Sequence, residues 1–203
     1  MTVEGLDFSG KSTLARNLET LLLDLGPPPY FTREPGGTPA AERIRELLLD
    51  PDLDVDPWTE AYLYAAARAD LVRCELLPRL ENGGAVLCER FLDSSLAYQG
   101  AGRRLGMAAV RELNLWAIGE VMPDLTFYLR LPGEERARRA RETGAPLDRI
   151  EKAGDDFMRR VEEGFEEIAR LEPGRVKVLD AARLPDELAQ LALREIRARP
   201  YNP

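Results

Sequence analysis

Lysine is scarce in this chain: of 28 basic residues, only Lys11, Lys152 and Lys177 are lysines. Genomic base composition accounts for an arginine bias of that kind, so a lysine at position 11 stands out against it. Excess positive charge is also missing. Acidic residues outnumber basic ones 36 to 28, giving a net charge of −8. That balance excludes a protein that coats DNA or RNA through a basic surface, while leaving room for a local cationic pocket that holds a small anion. Cysteine is limited to Cys74 and Cys88, which rules out a disulfide scaffold. The longest strictly apolar run, Ala61 to Ala67, falls far short of the roughly 20 residues a bilayer span needs. No charged-then-apolar leader precedes the first motif, and there is no internal repeat or low-complexity tract. A soluble, cytoplasmic protein with no membrane and no nucleic-acid partner is expected. A length of 203 residues with 44% apolar composition suits one large α/β domain, residues 1–203.

Strand-like apolar runs alternate with longer helical patterns, as in a parallel sheet covered by helices. Strands are predicted over Met1 to Glu4, Tyr30 to Arg33, Ala85 to Cys88, Asp124 to Leu131 and Val176 to Leu179. Helices are predicted over 12–25, 39–49, 58–80, 107–120, 134–142, 155–171 and 185–199, with a loop through Gly100 and Gly102. This order predicts a three-layer, doubly wound α/β fold with a five-stranded parallel sheet. The first strand is short for a core strand, as if the chain began further upstream.

Gly5-Leu6-Asp7-Phe8-Ser9-Gly10-Lys11-Ser12 follows the first strand and opens a helix, matching G-x-x-x-x-G-K-[ST]. Glycines let backbone amides turn inward around phosphate oxygens, and the helix N-terminus adds its dipole. Lys11 supplies a point charge for the β- and γ-phosphates, and the Ser12 hydroxyl can ligate Mg²⁺. Residues Gly5 to Thr13 are thus the candidate ATP site. The N-K-x-D motif of GTPases is absent, and Glu89-Arg90 stands where a switch GTPase carries D-x-x-G. An arginine beside the phosphates suits a second, phosphate-bearing substrate.

Further segments occur in one order along the chain: T-R-E-P-G-G-T at Thr32, A-A-R-A at Ala66, C-E-R-F-L-D-S-S-L-A-Y-Q-G at Cys88, P-D-L-T at Pro123 and L-D-R-I-E at Leu147. With the phosphate loop they resemble the thymidylate kinase family, from Gly5 to about Phe165. The resemblance implies a P-loop nucleoside monophosphate kinase fold with a small arginine-rich lid over about 132–152. It also implies ATP as donor, Mg²⁺ as cofactor, dTMP as acceptor and a homodimer. Deoxynucleoside kinases and other pyrimidine nucleoside monophosphate kinases are the nearest alternatives. A non-catalytic nucleotide-binding subunit is a more distant one.

The resemblance also implies roles for single residues. Tyr64 and Arg68, four apart on one helix, share a face, so the ring is expected to stack on a pyrimidine while the guanidinium meets its carbonyl edge. Arg45 matches the arginine that pairs with the acceptor phosphate, and Glu34 the acid near the sugar. Ser94, Ser95, Tyr98 and Gln99 are expected on one loop after the third strand, with Tyr98 crowding the sugar 2′ position. Asp7 is expected to orient the acceptor. Lys11, Arg90 and a lid arginine, Arg149 by its D-R-I-E match, are expected to neutralise the moving phosphoryl, with Ser12 and Glu89 holding Mg²⁺. Four positions depart from the family pattern: Tyr64 replaces phenylalanine, Glu89 and Phe91 replace the aspartate and tyrosine of aspartate-arginine-tyrosine, and Phe8 replaces a small residue or an arginine.

Overall fold

A computed structural model describes residues 1–144 and 149–199. Five parallel strands form one sheet: β1 (Thr2–Gly5), β2 (Tyr30–Arg33), β3 (Val86–Glu89), β4 (Thr126–Arg130) and β5 (Val176–Asp180), in the order β2-β3-β1-β4-β5. The chain leaves β1 toward the β2 side and returns through β3, then crosses to β4 and β5. Next to β1 and β3, therefore, the connections diverge, and open α/β sheets bind ligands at such a switch point beyond the strand carboxyl ends.

Nine α-helices are described: α1 (Lys11–Leu22), α2 (Pro39–Leu49), α3 (Pro57–Leu71), α4 (Leu77–Glu81), α5 (Leu92–Ser95), α6 (Met107–Ile118), α7 (Gly133–Thr143), α8 (Asp155–Leu171) and α9 (Pro185–Arg197). A π-helical stretch, Val72–Leu76, joins α3 to α4, so the helix expected over 58–80 is one nearly continuous rod. Helix α1 buries Leu14, Ala15, Leu18 and Leu22 against one face of the sheet, the stripe that its leucine spacing predicts. Its last expected turn tightens into a 3₁₀ turn at Leu23–Leu25. On the other face, α8 buries Phe157, Val161, Phe165 and Ile168. No helix among the described residues is long and apolar enough to cross a membrane.

The five strands fall where the sequence predicts them, but one connection does not. Leu92 to Gly102 is helical, as α5 followed by a π-helical stretch, Leu96–Gly102, and not a loop. The glycines that suggested a loop permit close packing instead. A Cβ on Gly100 would lie 2.9 Å from the Met107 Cα, and one on Gly102 would lie 2.7 Å from Phe157 and Val161. Tyr98 and Gln99 are therefore held on a buried helix.

Candidate active site

The site is built on the carboxyl ends of β1, β2 and β3. After β1 the chain turns sharply at Gly5, where a Cβ would meet the Leu129 carbonyl at 2.7 Å, and then winds through the phosphate loop. Gly10 caps α1 in the left-handed region at φ 91°, a conformation that costs glycine little. Phe8 is also left-handed at φ 66°, which is unusual for a side chain of its size. Lys11 is buried, donating to the Leu6 carbonyl at 2.8 Å and lying 3.7 Å from Asp7. Ser9 is buried and its Oγ has no partner among the described residues. Ser12 and Thr13 are exposed on the first turn of α1, open to a phosphate or its metal.

Arg90 follows β3 and reaches back to the loop. Nη1 donates to the Gly5 carbonyl at 3.1 Å and to Ser94 Oγ at 3.3 Å, while Nη2 pairs with Asp7 at 2.5 Å. Tyr98 Oη donates to the other Asp7 oxygen at 3.3 Å, and the Tyr98 ring lies under the Arg90 guanidinium, 5.1 Å from it. Burial pushes the Asp7 carboxyl upward, but the charges of Arg90 and Lys11, with hydrogen bonds from Arg90 and Tyr98, outweigh it and hold the group at about 2. Lys11 moves the opposite way. Burial lowers its ammonium, the Arg90 charge adds to the effect, and Asp7 and Glu89 offset part of it, leaving it at about 8.

Beside the loop lies a cleft of about 510 Å³, part of it open to solvent. Of the residues predicted to bind the acceptor, Glu34, Arg45, Tyr64, Arg90, Ser94, Ser95, Tyr98 and Gln99 all line it, together with Asp7 and with Ile150 from beyond the lid helix α7. Arg45 on α2 donates to the Pro35 carbonyl at 2.9 Å. Glu34 leaves one buried oxygen, Oε1, without a partner. Glu89 is half-buried at the end of β3, which keeps it near enough to solvent to take a hydrated ion.

Two expectations change. Arg68 does not line the cleft. It is 1% exposed, and all five of its N–H donors are used inside the protein. They go to Glu34 Oε2 twice, Ser95 Oγ, Asn114 Oδ1 and the Phe91 carbonyl. The periodicity that put it on one face with Tyr64 was correct, but the acidic and polar groups behind that face capture the guanidinium. Arg149 is the second. It donates to the Leu48 carbonyl of α2 at 2.9 Å and to Glu60 of α3 at 2.7 Å, away from the phosphate loop. Among the described residues, the α7 arginine that hydrogen-bonds to the phosphate loop is Arg139, whose Nη1 donates to the Phe8 carbonyl at 3.3 Å and Nη2 to the Ala181 carbonyl at 2.8 Å. Asp148, which flanks Arg149 in the predicted lid motif, lies outside the described residues.

The structure also brings in residues with no motif of their own. Glu4, fully buried on β1, accepts from the Phe91 amide at 2.7 Å and from Ser94 Oγ at 2.5 Å, fixing the turn that carries Arg90. Burial raises its carboxyl, the nearby Asp93 charge adds to the rise, and Ser94, Arg90 and the Phe91 amide counter it, leaving it at about 7. An acid on a short first strand, between Val3 and Gly5, is the only sequence signal for it. Glu60, one turn before Tyr64 on α3, is fully buried as well. Its i, i+4 relation to Tyr64 could have drawn attention to it.

A family model described as thymidylate kinase matches residues 3–191. A thymidylate kinase of Deinococcus radiodurans is 47% identical over 93% of this chain and 91% of its own length. One from Pelotomaculum thermopropionicum is 46% identical over 89% of this chain and 84% of its own. The crystal structure of a thymidylate kinase from Ehrlichia chaffeensis superposes with a TM-score of 0.76 at 28% identity, covering 97% of this chain and 96% of that one. Agreement of sequence over most of both lengths, on the same sheet and the same loop, places this chain in the thymidylate kinase family.

Proposed function

We propose that the protein transfers the γ-phosphoryl group of ATP to dTMP, giving dTDP and ADP. The observation that carries the reading is Arg90, which touches the phosphate loop at Gly5 and Asp7 and also lines the acceptor cleft. One guanidinium is thus shared by the donor and acceptor sites, where a phosphoryl group in transit would sit. Phosphoryl transfer depends on positioning and on neutralising charge at the equatorial oxygens. Lys11 and Arg90 supply that charge from the rigid fold, and Arg139 supplies it from the lid side. Arg45 is suited to the acceptor phosphate and Tyr64 to the base. Tyr98, packed edge-on against Phe157 and Phe165, is suited to excluding a 2′-hydroxyl. No side-chain base is needed, because the acceptor is already a phosphate anion at neutral pH.

Mg²⁺ fits the residues present as an ion that arrives with ATP. Ser12 and Glu89 offer oxygens, and among the described residues no group of three or more metal-binding side chains gathers at one point. Magnesium at such sites keeps waters and phosphate oxygens as its other ligands. When bound there, held by Ser12 and Glu89, it would supply positive charge that offsets the charge of the phosphates.

A coupled ADP-release assay across all nucleoside monophosphates and thymidine tests the reading. Preferred turnover of dTMP supports it, while turnover of thymidine in place of dTMP would identify a deoxynucleoside kinase. The proposal extends to one kinase domain spanning 1–203 and to a homodimer. Supporting the dimer, Trp58 and Tyr62 on α3 and Leu115 and Trp116 on α6 are exposed, Trp116 by 82%, and the two helices pack together. Light scattering on the protein and on Trp116→Lys measures the mass directly, with a monomeric wild type counting against it.

A further inference from the structure

Glu60 belongs to no motif, yet three side chains converge on its two buried oxygens. Gln99 Nε2 donates to Oε1 at 2.8 Å. Arg103 donates from Nε to Oε1 at 3.1 Å and from Nη2 to Oε2 at 3.0 Å. Arg149 Nη1 donates to Oε2 at 2.7 Å. Arginine N–H groups only donate, so both Glu60 oxygens act as acceptors. A glutamine amide has one donating end and one accepting end. Facing this carboxylate, only the nitrogen end is satisfied, and a flipped amide would set oxygen against oxygen in a buried place. Gln99 is 2% exposed and lines the acceptor cleft. With one of its two N–H donors tied to Glu60, the Gln99 amide is held in a single orientation, which fixes the side on which its oxygen meets a ligand.

We propose that Glu60 is a specificity-determining positioning residue. By holding the Gln99 nitrogen, it makes Gln99 read the acceptor base through a hydrogen-bond acceptor and so selects a pyrimidine that carries an N–H at position 3. This rests on the dTMP reading above. Thymine and uracil both carry that N–H. Cytosine presents a lone pair there, and would leave two acceptors opposed in a desolvated cleft, a mismatch that sites built on hydrogen bonds reject strongly. The two arginines give the carboxylate its rigidity. Arg103 lies just past the helical stretch that carries Gln99 and stacks on Phe157, its guanidinium 4.5 Å from the ring. Arg149 anchors the other oxygen from beyond α7.

The test measures kcat/KM for dTMP and for dCMP in the wild type, Glu60→Gln and Glu60→Asp. A glutamine at position 60 has a donating end of its own, so the Gln99 amide is free to turn over. The dTMP:dCMP ratio is expected to fall at least about tenfold in Glu60→Gln and to recover toward the wild-type value in Glu60→Asp. Partial unfolding lowers both rates equally and leaves the ratio alone, so an unchanged ratio in Glu60→Gln overturns the proposal. Should that variant not fold, the Gln99 side-chain amide of the wild type decides, assigned by NMR through its loss in Gln99→Leu. One amide proton protected from exchange by Glu60, with and without bound dTMP, is expected, and two amide protons that both exchange freely overturn the proposal. A wild type that shows the protected amide proton but phosphorylates no dTMP would instead sink the functional reading while leaving the Gln99 arrangement in place.

Discussion

Arg68 donates from Nε to Glu34 Oε2 at 2.8 Å, and its Nη2 reaches the same oxygen, with the two side chains 1% and 4% exposed. The pair ties the end of β2 to α3, and through Ser95 and Asn114 to α5 and α6. Burial raises the Glu34 carboxyl and the Arg68 charge lowers it, the net direction being upward. Such a pair holds the wall of the cleft in one arrangement, at a desolvation cost that only good geometry offsets.

Arg68→Met is therefore expected to destabilise the fold by about 3–5 kcal/mol, the cost of leaving a buried carboxylate without its partner. Denaturant unfolding monitored at tryptophan measures it. A variant that unfolds at the wild-type midpoint, with only KM for dTMP raised, would return Arg68 to the role of base reader.

Arg139 and Arg149 are expected to separate kinetically. Arg139→Ala should lower kcat or raise KM for ATP by roughly tenfold or more, with KM for dTMP little changed. Arg149→Ala should act on KM for dTMP, because its partners are Leu48 of α2 and Glu60 of α3, away from the phosphate loop. Steady-state rates with both substrates varied give the answer, and the reverse pattern would put Arg149 back at the phosphoryl group.

Lys11→Met should leave a folded protein with kcat reduced by roughly 10²-fold or more. In the unmodified protein the Lys11 ammonium sits at about 8, below its ordinary value because burial and the Arg90 charge disfavour the proton. Its charge is present below that pH and lost above it, so kcat/KM for ATP should decline as pH rises past 8. Bound triphosphate favours the charged form, so the limb in kcat should lie higher. A flat kcat/KM profile to pH 9.5 would contradict the assignment.

Glu4 offers a stability test. Burial and the Asp93 charge place its carboxyl at about 7 in the folded protein, above its ordinary value of 4.5. The folded state thus binds a proton that the unfolded chain releases. That contribution is fully present below 4.5 and is lost as pH rises through 7. Glu4→Gln cannot ionise, so it should raise Tm relative to the wild type at pH 8 and lose the advantage by pH 5. Scanning calorimetry at the two values checks it, and a pH-independent difference would show that Glu4 does not titrate there.

The sheet and the phosphate loop were legible in the sequence because each rests on local chemistry. Short apolar runs between helical patterns specify strands, and Gly5 to Ser12 encodes its own backbone turn. The stretch from Ser94 to Gln99 stands out by its motif resemblance, but its helical form is not legible, because Gly100 and Gly102 signal turns in sequence and close packing in space. Which arginine goes where was not legible. From Arg130 through Arg149 there are six arginines, all chemically equivalent, and local spacing says nothing about which carbonyl or carboxylate each will face. Only the packed structure sends Arg139 to Phe8 and Ala181, Arg149 to Glu60, and Arg68 to Glu34. Charge pairing at these distances in sequence is decided by which surfaces the fold buries together, since a buried guanidinium must find acceptors wherever the core places them.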